Sequence, residues 1–208
     1  KELKKLKEPF FSTILTLSSH EPFEVPMETI VLGSDRQSLY KNSVLYTDKT
    51  IGNFMKEIQK EIYYKNTIFV FISDHGFRIG NATNREKRRY HIPLFMYGIP
   101  LKEQWSGKKI SNAGSQSDLA KTILGQFNIK TNSFKFSNDL FTNRSGNVQY
   151  TFSHGFGFVS SKQSLIYDYN TEVVTYSNSK EITSTQQIFF NTGKAYLQKA
   201  YQDFIDRK

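Results

Sequence analysis

The sequence contains no cysteine and no long apolar run. Without cysteine there is neither a disulfide framework nor thiol chemistry, so cysteine usage leaves the redox compartment open. No apolar stretch approaches the ~20 residues that a membrane-spanning helix needs, and no signal peptide opens the chain. The first residue is Lys1 rather than methionine, so we expect the numbering to begin inside a longer protein. The missing targeting segment therefore does not indicate where that protein resides.

The composition is that of a folded and strongly basic protein. With 208 residues, 38% of them hydrophobic and 15% aromatic, the chain is long enough for one α/β domain with a sizeable core. Two basic clusters, Lys1–Lys7 and Arg85–Arg89, contribute much of the net charge of +9. Neither zinc-finger spacing nor an RNP signature accompanies them, so we predict no nucleic-acid partner. Attraction of an anionic substrate or of an anionic lipid surface explains the same charge.

A buried strand and the two polar residues that end it are the centre of the predicted fold. The stretch Asn66–Gly76 carries five consecutive apolar residues and then reaches Asp74 and His75. Such a run is typical of a parallel strand buried on both faces, and ligands bind at the carboxyl ends of such strands. Carboxylate and imidazole both bind Zn²⁺ or Mn²⁺, although two ligands do not complete a site. The alternative is an aspartate that caps the following turn beside a histidine that packs.

A second strand is predicted at Phe10–Leu17, with His20 at its carboxyl end. His20 is a candidate substrate ligand, and the alternative is a hydrogen-bonded loop residue. Helical periodicity then runs from Asp35, the expected N-cap, to about Tyr64. The expected apolar face consists of Ile51, Phe54, Met55, Ile58 and Ile62. Strand, helix and strand predict a right-handed βαβ crossover, with Gly52 closely packed on the sheet.

A basic loop, Phe77–Arg89, follows the candidate metal ligands and leads into another short strand at Tyr90–Gly98. His91 enters that strand from the loop and is a second candidate substrate ligand, unless the backbone satisfies it. Ser115–Phe127 predicts a helix in which Asp118 serves the first turn rather than any chemistry.

The remainder predicts an antiparallel meander and a terminal helix. Short strands are expected in Val148–Val159, Ser164–Tyr169 and Glu172–Tyr176, with a hairpin corner after Asp168 and a structural role for His154. Thr192–Arg207 predicts the last helix, and its expected apolar stripe consists of Ala195, Leu197, Tyr201 and Phe204. We therefore expect an α/β core over residues 9–138, followed by antiparallel strands and a helix over residues 139–208.

Four motifs in this order carry a resemblance to a known family. They are Leu-Ser-Ser-His-Glu-Pro-Phe at 17–23, Tyr-Thr-Asp-Lys-Thr-Ile-Gly at 46–52, Ser-Asp-His-Gly at 73–76, and Gly-Ser-Gln-Ser-Asp-Leu at 114–119. The set resembles the sulfatase-like branch of the alkaline phosphatase superfamily, and most of all its lipoteichoic acid synthase and phosphoglycerol transferase group. The resemblance implies a layered α/β sheet with helices on both faces and a C-terminal antiparallel meander, with the N-terminal half of the catalytic domain missing.

The resemblance also implies a site. Asp74 and His75 resemble two ligands of one divalent metal ion, Mn²⁺ in first place with Mg²⁺ or Zn²⁺ as alternatives, and His20 and His91 resemble substrate-binding residues. The nucleophile and another metal-binding acid are expected upstream of the strand at Phe10, so we expect no activity from this piece alone.

The implied function is metal-dependent transfer or hydrolysis of a phosphoryl or phosphoglycerol group in the metabolism of cell-envelope polymers or lipid head groups. The implied partner is an anionic phospholipid or a sulfated or phosphorylated glycan. The parent protein is expected to be anchored by upstream helices, with this domain extracytoplasmic. One alternative is a sulfatase, which an upstream formylglycine signature in place of threonine would reveal. Another is a non-catalytic module that binds anionic glycans or lipids.

Overall fold

The computed structural model describes residues 2–78, 80–142, 146–176 and 183–207. The chain divides into two compact units, one formed by Lys1–Phe69 with Tyr97–Pro100 and the other by Val70–Met96 with Leu101–Lys208. Within the described ranges the α-helices are α1 (Arg36–Ile58), α2 (Leu119–Gln126) and α3 (Ser184–Asp206). The strands are β1 (Phe69–Ile72), β2 (Leu94–Tyr97), β3 (Val148–Phe152), β4 (Gly155–Val159), β5 (Ser164–Asp168) and β6 (Val173–Tyr176). Among the described residues, no helix is both long and apolar enough to cross a membrane.

Helix α1 begins where the sequence predicts and ends earlier. The Asp35 carboxylate accepts the backbone N–H groups of Gln37 and Ser38 at 3.0 and 3.2 Å, which confirms the N-cap. The helix stops at Ile58, and the side chain of Ile62 is 90% exposed, so its place on the predicted apolar face is wrong. The predicted close packing at Gly52 is also wrong, because a Cβ there would meet nothing within 4 Å.

The predicted buried strand from Phe10 to Leu17 is not formed in the described chain. These residues have no regular secondary structure, and four of their apolar side chains are largely exposed: Phe11, Ile14, Leu15 and Leu17. A strand forms when a neighbour pairs its backbone N–H and C=O groups, and the described sheets contain β1–β2 and β3 to β6 only. The expected βαβ crossover therefore lacks its first strand here.

Strands β1 and β2 form a two-stranded sheet. Strand β1 covers only four residues of the predicted stretch; three of them are half-buried, and Ile72 is exposed, at 37%. Burial on both faces was therefore the wrong expectation for these residues. The direct run of β1 into the polar turn at Ser73 and Asp74 is as predicted.

The C-terminal meander is confirmed. Strands β3, β4, β5 and β6 lie in that order, and each neighbouring pair is antiparallel. At the predicted corner, the Asp168 carboxylate accepts the backbone N–H groups of Asn170 and Thr171 at 2.9 and 3.1 Å. His154 lies in the turn between β3 and β4, where its carbonyl accepts the N–H of Tyr169 at 2.7 Å.

Helix α3 packs its N-terminal half on this sheet. It begins at Ser184 rather than at Thr192, because Thr183 and Gln186 form a capping box. The buried cluster consists of Phe156, Phe158, Leu165 and Phe189. Phe204 is 76% exposed, so the predicted apolar stripe is wrong at that end of the helix. The residues of α3 that pack on the sheet include Phe189 and Gly193, which the sequence analysis left out. A Cβ on Gly193 would lie only 3.0 Å from the Phe158 side chain.

The meander also anchors the loop that leaves the β1 turn. Arg85 Nη2 pairs with Asp168 Oδ2 at 2.6 Å, and the Tyr150 hydroxyl donates to the Arg85 carbonyl at 2.7 Å. The rings of Tyr90 and Tyr150 stack with their centroids 4.3 Å apart. Burial raises the pKa of Tyr150 to about 12, so its hydroxyl keeps the proton that it donates.

We expect the substitution Asp168→Asn to lower stability at neutral pH and to matter little in acid. Burial alone would raise the pKa of Asp168, yet the amides of Thr171 and Asn170 and the charge of Arg85 hold that pKa below its usual range. A depressed folded-state pKa stabilises the protein above the unfolded-state value of about 3.9, and this contribution is lost as the pH falls through the folded-state value. Thermal unfolding followed by circular dichroism from pH 7 to pH 3 measures it.

The matched control is Asp206→Asn, at an exposed aspartate near the end of α3. The gap in melting temperature between wild type and Asp168→Asn should begin to narrow below about pH 4 and continue to narrow as the pH falls toward the folded-state pKa of Asp168. A gap that stays constant over the whole range would contradict the ionised pair.

Candidate metal centre

The side chains of Asp74 and His75 come together at the turn that follows β1. One carboxylate oxygen, Asp74 Oδ1, accepts the backbone N–H of His75 at 2.9 Å and so fixes the carboxylate. The other, Oδ2, lies 3.8 Å from His75 Nε2. Both side chains are largely exposed, at 71% and 74%. The turn therefore presents a carboxylate oxygen and an imidazole nitrogen side by side.

The hydrogen bond of the His75 ring determines which nitrogen is available. His75 Nδ1 lies 3.1 Å from the carbonyl oxygen of Gly76. A carbonyl only accepts, so Nδ1 carries the hydrogen in this bond, and in the neutral ring the lone pair lies on Nε2. Metal-binding histidines are commonly held in this way by a backbone carbonyl at the second ring nitrogen.

The positions of these two atoms fit a divalent cation. Asp74 Oδ2 and His75 Nε2 of the neutral ring both offer lone pairs, and a cation between them would accept both. Metal–oxygen and metal–nitrogen distances are about 2.0–2.2 Å, so two atoms 3.8 Å apart reach one ion together. Within the described ranges no group of three or more histidine, aspartate, glutamate or cysteine residues is placed to hold a metal. Two such groups do not complete a metal site, so a metal bound here would need further ligands.

Two contacts hold the backbone of this turn. A Cβ on Gly76 would lie 2.0 Å from the carbonyl oxygen of Arg89, so the close approach of these two segments requires glycine. On the other side, the Gln116 amide donates to the carbonyl oxygens of Ser73 and Asp74 at 2.8 and 2.6 Å. Sequence reasoning missed Gln116, since a glutamine at the start of a helix carries no signal of such a contact.

The two candidate substrate histidines lie on different parts of the chain. His91 is exposed, and its carbonyl oxygen is 3.5 Å from the position of a Cβ on Gly76, so its backbone runs beside the turn that carries Asp74 and His75. His20 belongs to the unit that contains α1. Its Nδ1 lies 2.9 Å from the Glu21 carbonyl, so Nδ1 is the donor in this bond and the lone pair of the neutral ring lies on Nε2, as in His75. The turn that carries it is held to α1 by Ser19 and Thr47, whose hydroxyls are 3.1 Å apart.

Asp118 has the structural role that the sequence predicts. It is 4% exposed and forms a capping box with Ser115 at the turn that opens α2. Its second oxygen accepts the backbone N–H of Asn138 at 2.8 Å. Because both oxygens are engaged, this carboxylate is not available for chemistry.

Comparisons with known proteins point to one family. The family model described as Sulfatase matches residues 1–129. A lipoteichoic acid synthase-like protein, YvgJ of Bacillus subtilis, is 28% identical over an alignment of 161 positions that covers 67% of this chain and 26% of that protein. The lipoteichoic acid synthase of Staphylococcus aureus is 24% identical over an alignment of 213 positions that covers 94% of this chain and 32% of that protein.

Solved structures show the same fold. An alkaline phosphatase superfamily protein from Vibrio parahaemolyticus matches 97% of this chain and 51% of its own, with a TM-score of 0.74 and 22% identity. The lipoteichoic acid synthase LtaP from Listeria monocytogenes matches 92% of this chain and 53% of its own, with a TM-score of 0.71 and 19% identity. The expected fold class is thus confirmed. The chain spans about a quarter to a third of the curated relatives and about half of the solved structures.

Proposed function

The chain belongs to the sulfatase family, and from that premise we propose that it is the C-terminal part of a metal-dependent catalytic domain that transfers or hydrolyses a phosphoglycerol or phosphoryl group. The observation that carries the proposal is the pair of acceptors, Asp74 Oδ2 and His75 Nε2, 3.8 Å apart on one turn. The relatives named as lipoteichoic acid synthases support phosphoglycerol transfer in cell-envelope metabolism.

The proposed ligands of the metal are Asp74 and His75, with further ligands from outside the described residues. Mn²⁺ is the first candidate, and Mg²⁺ or Zn²⁺ are alternatives. Bound there, a divalent cation supplies Lewis acidity toward an oxygen of a phosphodiester. The chain's own part is to hold the carboxylate through the His75 N–H and to keep the proton of His75 on Nδ1.

The proposed substrate is anionic, an anionic phospholipid before a phosphorylated or sulfated glycan. The helical turn Lys87–Arg89 carries three basic residues. Its last carbonyl, that of Arg89, packs on Gly76, next to the turn that carries Asp74 and His75. Positive charge there attracts phosphate groups and anionic lipid surfaces. His20 and His91 are the proposed contacts to the substrate. We further propose that the parent protein is membrane-anchored and that this domain works outside the cytoplasm.

A sulfatase is the second candidate, favoured by the name of the matching family model. Sulfate and phosphate esters place similar demands on a metal and on histidine donors, so the residues described here serve either reaction. A third hypothesis is a module that binds anionic glycans or lipids without turnover. Such a module would use the basic turn Lys87–Arg89 and would need no metal. We expect no turnover from the 208-residue chain alone, since the described residues bring together only two ligands.

The test uses the longer protein that contains this chain. Purified protein is supplied with phosphatidylglycerol vesicles in one arm and with an aryl sulfate in the other, each with Mn²⁺ or with EDTA. We expect diacylglycerol to be released only with the metal, and no release of sulfate. Faster sulfate release would establish the sulfatase instead, and vesicle binding without turnover would establish the binding module.

A further inference from the structure

We propose that Gln116 is a positioning residue that fixes the turn carrying the metal ligands Asp74 and His75. Its amide nitrogen lies 2.8 Å from the carbonyl oxygen of Ser73 and 2.6 Å from that of Asp74. The inference rests on the proposed function, since it assigns a role toward the metal that those ligands would bind.

The chemistry of the partners fixes the orientation of the amide. Both partners are carbonyl oxygens, which only accept hydrogen bonds, so the NH₂ end of Gln116 faces them. That group has two hydrogens, and the two carbonyls use both. One side chain therefore binds the carbonyl groups on both sides of the Asp74 Cα atom, and the second of these belongs to the peptide group that leads to His75.

Hydrogen bonds fix the segment that carries Gln116. It is the first residue of the 3-10 turn Gln116–Asp118, which leads directly into α2. The capping box of Ser115 and Asp118 closes this turn, and the buried Asp118 also accepts the backbone N–H of Asn138. Gln116 thus connects an exposed turn to a buried polar network.

The ligand turn has few other restraints of its own. The hydrogen bonds of its side chains are local, from the His75 N–H to Asp74 and between the His75 ring and the Gly76 carbonyl. These bonds orient each side chain relative to the adjacent backbone but do not hold that backbone in space. Beside the close approach of Gly76 to Arg89, the Gln116 amide, 42 residues away from Asp74 in sequence, supplies this restraint through hydrogen bonds. Contacts that orient ligands in this way typically change metal affinity by about 10- to 100-fold when they are lost.

The test replaces Gln116 with methionine, which is neutral and of similar length but donates no hydrogen bond. The matched control is Gln149→Met, at a glutamine whose amide also donates to a backbone carbonyl, that of Gly193, at 3.3 Å. Two quantities are measured on the longer protein that contains this chain: the dissociation constant for Mn²⁺ alone by calorimetry, and the His75 tautomer in the metal-free protein from its ring ¹⁵N shifts. Circular dichroism confirms that each variant is folded.

We expect Gln116→Met to weaken Mn²⁺ binding by about 10-fold and to lower the fraction of His75 with its proton on Nδ1, while Gln149→Met changes neither. If both readouts stay at the wild-type value in Gln116→Met, the positioning role is overturned while the metal site stands. If the wild type binds no Mn²⁺ but the tautomer shifts only in Gln116→Met, the positioning role stands and the metal site fails. If Gln149→Met moves both readouts equally, the positioning role is also overturned.

Discussion

Replacing Asp74 with alanine should lower the turnover of the longer protein by about 1,000-fold. The substitution removes Asp74 Oδ2, which lies 3.8 Å from His75 Nε2, and thereby one of the two proposed ligands of the divalent cation. A metal acting as a Lewis acid contributes several kcal/mol to transition-state stabilisation, and each 1.36 kcal/mol is a factor of ten in rate. Initial rates at saturating Mn²⁺ on phosphatidylglycerol vesicles measure the effect.

The control for this variant is Asp206→Ala, at an exposed aspartate near the end of α3 whose only described side-chain hydrogen bond is to Gln202. It should keep the wild-type rate. If Asp74→Ala retained more than about a tenth of the activity, Asp74 would be a capping residue of the turn, as the alternative interpretation of the sequence has it.

Replacing Phe158 with alanine should cost about 3–5 kcal/mol of the free energy of unfolding. Phe158 lies on β4, and its side chain is 0% exposed and packs against α3, with its ring centroid 4.8 Å from that of Phe189. Truncation removes buried apolar area and leaves a cavity in a cluster of few residues. For a protein of this size we expect the melting temperature to fall by about 10 °C. Thermal unfolding of the 208-residue chain measures it.

Phe204→Ala is the matched control, because it removes the same atoms from the same helix-and-sheet region at a side chain that is 76% exposed. Its cost should stay within about 0.5 kcal/mol. An equal or larger loss at Phe204 would mean that α3 buries the stripe predicted from sequence, and that the packing against β4 is wrong.

The sequence was sufficient for features that depend on neighbours along the chain. Asp74 and His75 are adjacent and follow an apolar strand, so their presentation at the strand end follows from local geometry. The N-cap at Asp35 and the meander with its corner at Asp168 are also local, since a side chain two or three residues away satisfies the backbone. Such short-range chemistry can be recognised from the order of the residues alone.

Features that depend on distant partners were not accessible in this way. The segment from Phe10 to Leu17 has the composition of a buried strand, but a strand needs a neighbour, and the described sheets supply none for it. Gln116 reaches across 42 residues, and a glutamine gives no pattern from which that contact follows. The early start of α3 did have a signal, because Thr183 and Gln186 have the spacing of a capping box.

Anomalous diffraction at the manganese edge tests most directly the proposal that Asp74 and His75 hold one cation. Crystals of the longer protein that contains this chain, grown with MnCl₂, should show a peak within about 2.2 Å of both Asp74 Oδ2 and His75 Nε2. The peak should be absent in crystals of Asp74→Ala. A peak elsewhere on the chain, or Asp74 and His75 turned apart with no peak between them, would contradict the claim.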